Sequence, residues 1–263
     1  MIVYGLLGAV VGVVLALTGA GGGILAVPLL IFCAHLGMAQ AGPIGLLAVG
    51  LASMLGAVLG LRQGIVRYKA AALIAVAGML ASPFGLWLAH RLPNGPLLVL
   101  FAMVLIWVAY RSFHQAQGQR AGTDEARLPC QINPATGRFI WTWSSARVFV
   151  SVGAVTDLLS GLLGVGGGFV LVPVLRRYTG LGMQSIVATA LAVIALVSCT
   201  SVLASSMGGH VNWQVGLPFS IGAIGGMLGG RWLGRFLHGA HLSRAFAGVA
   251  LLAALLLLAK ALA

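Results

Sequence analysis

Two glycine clusters interrupt apolar runs that would otherwise read as membrane helices. The first is Gly19-Ala20-Gly21-Gly22-Gly23, followed by Ile24-Leu25-Ala26-Val27-Pro28. The second is Gly164-Val165-Gly166-Gly167-Gly168, followed by Phe169-Val170-Leu171-Val172-Pro173. Glycine has little helical preference, so each cluster is expected to break its helix and bare its backbone N–H groups. Irregular backbone at membrane depth is tolerated only where it is buried in protein or lines a cavity. The two breaks are therefore expected to face each other and form a binding site for an anion.

The clusters are 145 residues apart, and that offset persists downstream without a gap. It aligns Leu36-Gly37-Met38 with Leu181-Gly182-Met183 and Ser53 with Ser198. It also aligns Gly64-Ile65-Val66-Arg67-Tyr68 with Gly209-His210-Val211-Asn212-Trp213, and Gly85, Trp87, Leu88 and Leu92 with Gly230, Trp232, Leu233 and Leu237. The chain reads as two homologous halves, 1–111 and 147–263, joined by a polar linker at 112–146. Internal repeats of this kind are a mark of transporter folds.

Composition fixes the medium. Apolar residues make up 60% of the chain and charged residues 7%, against roughly 25% charged in a soluble domain. Mean hydropathy is +1.07, and apolar segments near the spanning length of about 20 residues recur throughout. The reading is an all-α polytopic membrane protein. Its net charge of +12 points to Arg and Lys in cytoplasmic loops rather than to a nucleic-acid partner. The start, Met1-Ile2-Val3-Tyr4, has no basic region, so no cleaved signal peptide is expected. Cys33 and Cys199 lie in apolar segments and Cys130 in the linker. Their spacing fits neither a zinc site nor a disulfide framework, which leaves small buried thiols and one loop thiol.

Taken in order, residues 3–17 are apolar, the break follows, and 24–34 are apolar again. At 1.5 Å per residue the arms are about 22 Å and 16 Å long. Together they are too long for one span of about 30 Å and too short for two. Each half is therefore expected to hold a glycine-tipped re-entrant helical hairpin followed by about three transmembrane helices. In the first half the spans lie near 43–61, 70–90 and 96–111. The second half has a hairpin near 148–178 and spans near 185–206, 214–236 and 244–262. Glycines such as Gly222, Gly225, Gly226, Gly229 and Gly230 are read as helix-packing residues without chemistry.

Charge placement tests this topology. If each hairpin returns to the side it came from, the halves are inverted. One side then holds Arg62, Arg67, Lys69, Arg111, Arg120, Arg127, Arg138, Arg147, Arg176, Arg177, Arg231, Arg235 and Arg244. The other holds only Arg91 and Lys260. If the broken segments were single spans, the halves would be parallel and the positive charges nearly evenly split. The positive-inside rule favours inversion, with both termini outside, the 112–146 linker cytoplasmic, and a pseudo-two-fold axis in the membrane plane. The linker reads as a solvated connector, and Trp141 and Trp143 as interfacial anchors.

In that arrangement the arms beginning after Gly23 and Gly168 point their N-termini into one space near the midplane. A helix N-terminus carries unpaired N–H donors and roughly half a positive charge. Two of them make a dry anion site that needs no basic side chain. The candidate contacts are Gly19, Gly21, Gly22, Gly23, Gly164, Gly166, Gly167 and Gly168, with hydroxyls from Thr18, Ser160 and Thr189. Asp157, deep in the second hairpin's first arm, is either a proton or cation carrier or a helix-packing residue. Arg231 either holds an anion at an inner vestibule or snorkels to the interface. The six His residues fall near span ends or at the linker's start. No cofactor, metal cluster or Ser/His/Asp set is visible, and the Gly runs lack the Lys-Ser/Thr of a phosphate-binding loop.

The doubled Gly-x-Gly-Gly-Gly-x4-Pro motif resembles that of the sulfite exporter TauE/SafE family of prokaryotic membrane proteins. Gly209-His210-Val211-Asn212-Trp213 is similar to the family's glycine–aromatic loop, and Ala188-Thr189-Ala190-Leu191 to its Ala-Thr-Ser-Leu pattern. The first half departs at the matching places, with Pro43-Ile44-Gly45-Leu46 and with Arg67-Tyr68 in place of an Asp-Trp-like pair. The resemblance implies a secondary transporter in the inner membrane that moves small sulfur-containing anions, such as sulfite or organosulfonates, often outward. The partners implied are a small anionic substrate and the bilayer. Two further readings stay open: an anion channel of the same architecture, and a membrane sulfur-relay component using Cys130.

Overall fold

Backbone polar groups in so apolar a chain have to be satisfied within each segment, and helices do this without a partner strand. The computed structural model describes residues 2–19, 21–34, 36–116, 143–179, 181–207, 212–233, 248 and 250–259. The first half comprises α1 (Ile2–Thr18), α2 (Gly21–Cys33), α3 (Met38–Arg62), α4 (Tyr68–Arg91) and α5 (Asn94–Ala116). The second comprises α6 (Trp143–Leu163), α7 (Gly168–Tyr178), α8 (Met183–Met207), α9 (Trp213–Leu233) and α10 (Ala250–Ala259). Among the described residues, four stretches are long and apolar enough to cross a membrane: 40–62, 68–89, 145–163 and 183–203. Large apolar side chains on the outer surface, among them Leu80, Phe84, Ile221 and Trp232, are more than three-fifths exposed. An apolar exterior of this extent suits lipid rather than water. The chain is an all-helical, multi-pass membrane protein.

Both glycine clusters do interrupt helices, but at different residues. In the first half the break is short, and Gly21, Gly22 and Gly23 form the opening turn of α2. The expected start after Gly23 is three residues late. The N–H groups of a helix's first turn have no carbonyl acceptor upstream within the helix, so regular geometry gains least there and glycine costs less than in mid-helix. In the second half, Gly164–Gly167 stay outside the helix and α7 begins at Gly168. Gly19 and Gly164 adopt φ +75° and +68°, a left-handed geometry that glycine alone adopts without strain. In both places a glycine of the cluster lies against the preceding helix. A Cβ on Gly22 would lie 2.6 Å from the Val11 carbonyl oxygen, and one on Gly167 would lie 2.7 Å from the Thr156 carbonyl oxygen. Val11 and Thr156 are themselves 145 residues apart.

Glycine also sets which helices meet. Gly8 and Gly12 of α1 press on the Phe219 and Ala223 carbonyls of α9, while Gly222 and Gly226 of α9 press on the carbonyls of Gly5 and Ala9. Gly153 of α6 presses on the Ile74 carbonyl of α4, and Gly161 on that of Ser82. These contacts make α1 parallel to α9 and α6 parallel to α4. Under the 145-residue offset one pair becomes the other with the halves exchanged. Between α3 and α8 the order reverses. Cβ atoms on Gly50, Gly56 and Gly60 would lie 2.6, 2.8 and 3.0 Å from Ser198 Cβ, Leu191 Cδ1 and Ala188 Cβ, so these equivalent helices are antiparallel. Gly222, Gly226 and Gly230 are packing residues, as expected, whereas Gly225 and Gly229 face nothing within 4 Å.

Other boundaries move. Helix α6 starts at Trp143 rather than 148 and α5 runs to Ala116, so helix extends into both ends of the 112–146 stretch. Arg147 lies 5.4 Å from the ring centroid of Trp143. Cys33 and Cys199 are exposed rather than buried, because each points away from the helix face that packs. The rest of the linker (117–142, with Cys130 and Trp141), His35, the Gly209-His210-Val211 loop, and 234–247 with Arg235, His238, His241 and Arg244 lie outside the described residues.

Candidate functional site

The two glycine turns touch. Gly23, in the first turn of α2, lies against the Val165 carbonyl, and a Cβ there would also be 3.7 Å from the Gly166 carbonyl oxygen. No side chain fits between these backbones, so glycine at 23 permits the approach. Each turn then docks on the start of a long helix of the other half. Gly19 meets the Val187 side chain of α8, and Gly164 meets the Gly42 backbone of α3. Gly42 and Val187 are again 145 residues apart. Gly166 (φ +72°) sits between Val49 of α3 and Ile194 of α8, with both side chains 3.5 Å from a Cβ built there. Gly164, Gly166, Gly167 and Gly168 are all buried, as are Gly19, Gly22 and Gly23.

The N–H groups of the opening turns of α2 and α7 have few intrahelical acceptors to reach. Some are met locally: Gly168 N–H donates to the Gly166 carbonyl at 2.6 Å and Leu171 N–H to that of Gly167 at 3.2 Å. Ser160 stands at the second turn, where its carbonyl accepts from Gly164 N–H at 2.8 Å. Its Oγ is fully buried and has no partner. Thr18 stands at the first turn, and its hydroxyl donates to the Val14 carbonyl at 2.7 Å.

Asp157 is brought into the site by two glycines. It is 2% exposed, and its Oδ2 has no hydrogen-bond partner. Gly78 of α4 lies directly against Oδ2, and a Cβ on Gly167 would be 2.6 Å from Oδ1. The equivalent position in the first half is Gly12, which meets Ala223, the equivalent of Gly78. The second half thus carries an acid where the first has none, and a glycine opposite makes room for it.

Two candidates are occupied elsewhere. Thr189 is fully buried, and its Oγ1 accepts from Arg67 N–H at 3.1 Å. This bond fastens the α3–α4 connection to α8. Arg231 donates to the Gly56 carbonyl at 3.3 Å and to Gln63 Oε1 at 2.9 Å, tying α9 to the C-terminal part of α3. A cation at a helix C-terminal end is favourable in itself. Sequence reasoning passed over Ser53 and Gly78; the alignment of Ser53 with Ser198 was the one available signal. No group of three metal-ligating side chains occurs among the described residues.

Comparison with known proteins identifies the family. The sulfite exporter TauE/SafE family matches residues 4–257. The chain is 26% identical over 232 residues to a probable membrane transporter protein, YunE, of Bacillus subtilis (strain 168), covering 85% of each chain. It is also 26% identical over 229 residues to a probable membrane transporter protein of Xylella fastidiosa (strain Temecula1), covering 84% of this chain and 80% of the other. No solved structure matches. These relatives are named as transporters and not as enzymes. A match spanning nearly the whole chain, over helices that suit a bilayer, shows that this protein belongs to the sulfite exporter TauE/SafE family of membrane transporters.

Proposed function

We propose that the protein is a secondary transporter of small sulfur-containing anions, such as sulfite or organosulfonates, working as an exporter in a prokaryotic inner membrane. The anion binds where the two glycine turns meet near the midplane, beside the Gly23–Val165 contact and facing the N-termini of α2 and α7. The observation that carries this reading is the contact of Gly23 with the Val165 backbone, which brings two glycine turns and two helix N-termini to one buried point. Donors of that kind hold an anion without a buried cation.

The architecture behind this reading is a pair of inverted repeats with re-entrant hairpins, both termini outside and the linker cytoplasmic. It is supported by the antiparallel α3–α8 crossing, by the exchange of α1–α9 for α4–α6 under the repeat offset, and by the charge distribution. The turns meet and close the centre, so the anion reaches one side or the other as the halves rock. A continuous pore is not favoured by that contact. Export is assisted by the membrane potential, at about 2.3 kcal/mol per charge per 100 mV.

Counterflow separates carrier from channel. Vesicles preloaded with unlabelled sulfite should accumulate labelled sulfite transiently, and flux should saturate. Linear flux without counterflow would favour the channel. Proton coupling through Asp157 is tested by Asp157→Asn, which should flatten the pH profile of transport; an unchanged profile would remove that role.

A further inference from the structure

Hydroxyls in apolar helices usually bond to their own backbone one turn back. Thr156 does so to the Val152 carbonyl at 2.7 Å, Thr200 to Val197 at 2.8 Å and Ser201 to Val197 at 3.1 Å. The Ser82 and Ser201 hydroxyls also meet at 2.7 Å. Ser53 and Ser198 differ. They are 0% and 2% exposed, and neither Oγ has a partner. They are also equivalent across the repeat offset, so both halves bring a hydroxyl to the same place. A buried donor without an acceptor costs free energy, and a site holding two is polar enough to want a guest.

That place adjoins the glycine turns. Val49 and Ile194, which flank Gly166, are each one helical turn before Ser53 and Ser198 on the same helix faces. Ser198 itself lies on Gly50 of α3, whose built Cβ would be 3.3 Å from the Ser198 Oγ. Because α3 and α8 are antiparallel and both serines lie near mid-helix, the two hydroxyls fall on either side of the point where the helices cross. Within α3 and α8 the only charged residue is Arg62, at the end of α3. The pair therefore offers neutral donors, which suit an oxyanion already attracted by helix N-termini and would not trap it as a fixed charge would.

We propose that Ser53 and Ser198 are substrate-contacting residues, a symmetric hydroxyl pair that hydrogen-bonds the oxyanion where the second glycine turn meets the α3–α8 crossing. The assignment rests on the anion-transport reading above and adds the side chains that read the substrate's oxygens.

The test measures affinity for sulfite and methanesulfonate, by anion-dependent thermal stabilisation of the purified full chain and by half-saturation of counterflow. Ser53→Ala and Ser198→Ala should each weaken affinity roughly fivefold and the double variant roughly 25-fold, as expected for one hydrogen bond each. Ser82→Ala, which removes a hydroxyl already partnered by Ser201, should lower the melting temperature and leave affinity unchanged. If the double variant folds poorly, Ser53→Cys and Ser198→Cys keep the shape but weaken the donor, and each should still reduce affinity. Wild-type affinity in the double alanine or both cysteine variants would overturn the assignment and leave the serines as packing or water-binding groups. If Gly22→Leu and Gly167→Leu abolish binding while the serine variants do not, the transport site stands and only the serine pair falls. If the wild type binds neither anion, both readings fall together.

Discussion

The two glycine turns do the same job with different materials. In the first half the turn is short, its glycines open α2, and the neighbouring helix presents Gly12. In the second half the turn is longer, holds two left-handed glycines, and lies against Asp157. The frame around them is matched residue for residue: Gly19 on Val187 and Gly164 on Gly42, Gly22 by Val11 and Gly167 by Thr156. These contacts are thus duplicated, whereas the turns differ in length and only the second has a buried acid beside it.

Substitutions at the two tips should separate the halves most. Gly164→Ala puts a Cβ into the Gly42 backbone at a positive φ, and backbone cannot yield. Gly19→Ala has the same φ problem but meets the Val187 side chain rather than backbone. Gly164→Ala should destabilise by about 3 kcal/mol or more and Gly19→Ala by about 1–2 kcal/mol. Thermal melting of the purified variants checks the order, and equal effects would contradict it.

A second test exchanges the asymmetric pair. Gly78→Ala alone drives a methyl into Asp157 and should cost about 1–3 kcal/mol. Asp157→Gly alone opens a small cavity. Together they reproduce the Gly12–Ala223 pair of the first half, so the double variant should be less destabilised than the sum, by about 1–2 kcal/mol of coupling. Additivity would mean the two positions are not in contact. The smallest effect is expected at the periphery. Arg231→Gln removes bonds to Gly56 and Gln63 and should cost about 1 kcal/mol. Saturable transport should persist; its abolition would return Arg231 to the substrate path.

How far the sequence carried depended on whether a feature was local. Helix positions were legible because they rest on apolar runs. The glycine breaks were legible for the same reason, although the start of α2 at Gly21 was not, since helix propensity alone does not show that a first turn tolerates glycine. What crossed between halves stayed hidden. Nothing in the run around Gly78 shows that it faces Asp157, and nothing around Thr189 shows that Arg67 donates to it. Such pairings are fixed by which helices pack, and two homologous halves offer equally plausible partners within and between themselves. The unpaired state of Ser53 and Ser198 is of that kind too: a serine in an apolar helix looks alike whether it bonds to its own backbone or to a guest.

An anion site at the two glycine turns is tested by uptake of radiolabelled sulfite and organosulfonates into proteoliposomes under an imposed potential of either sign. The comparison is between wild type and Gly22→Leu or Gly167→Leu proteins that still fold. Saturable, potential-dependent flux in the wild type, reduced at least tenfold by either substitution, is the predicted result. Flux undiminished by both substitutions would contradict the account and place the anion's path elsewhere in the protein.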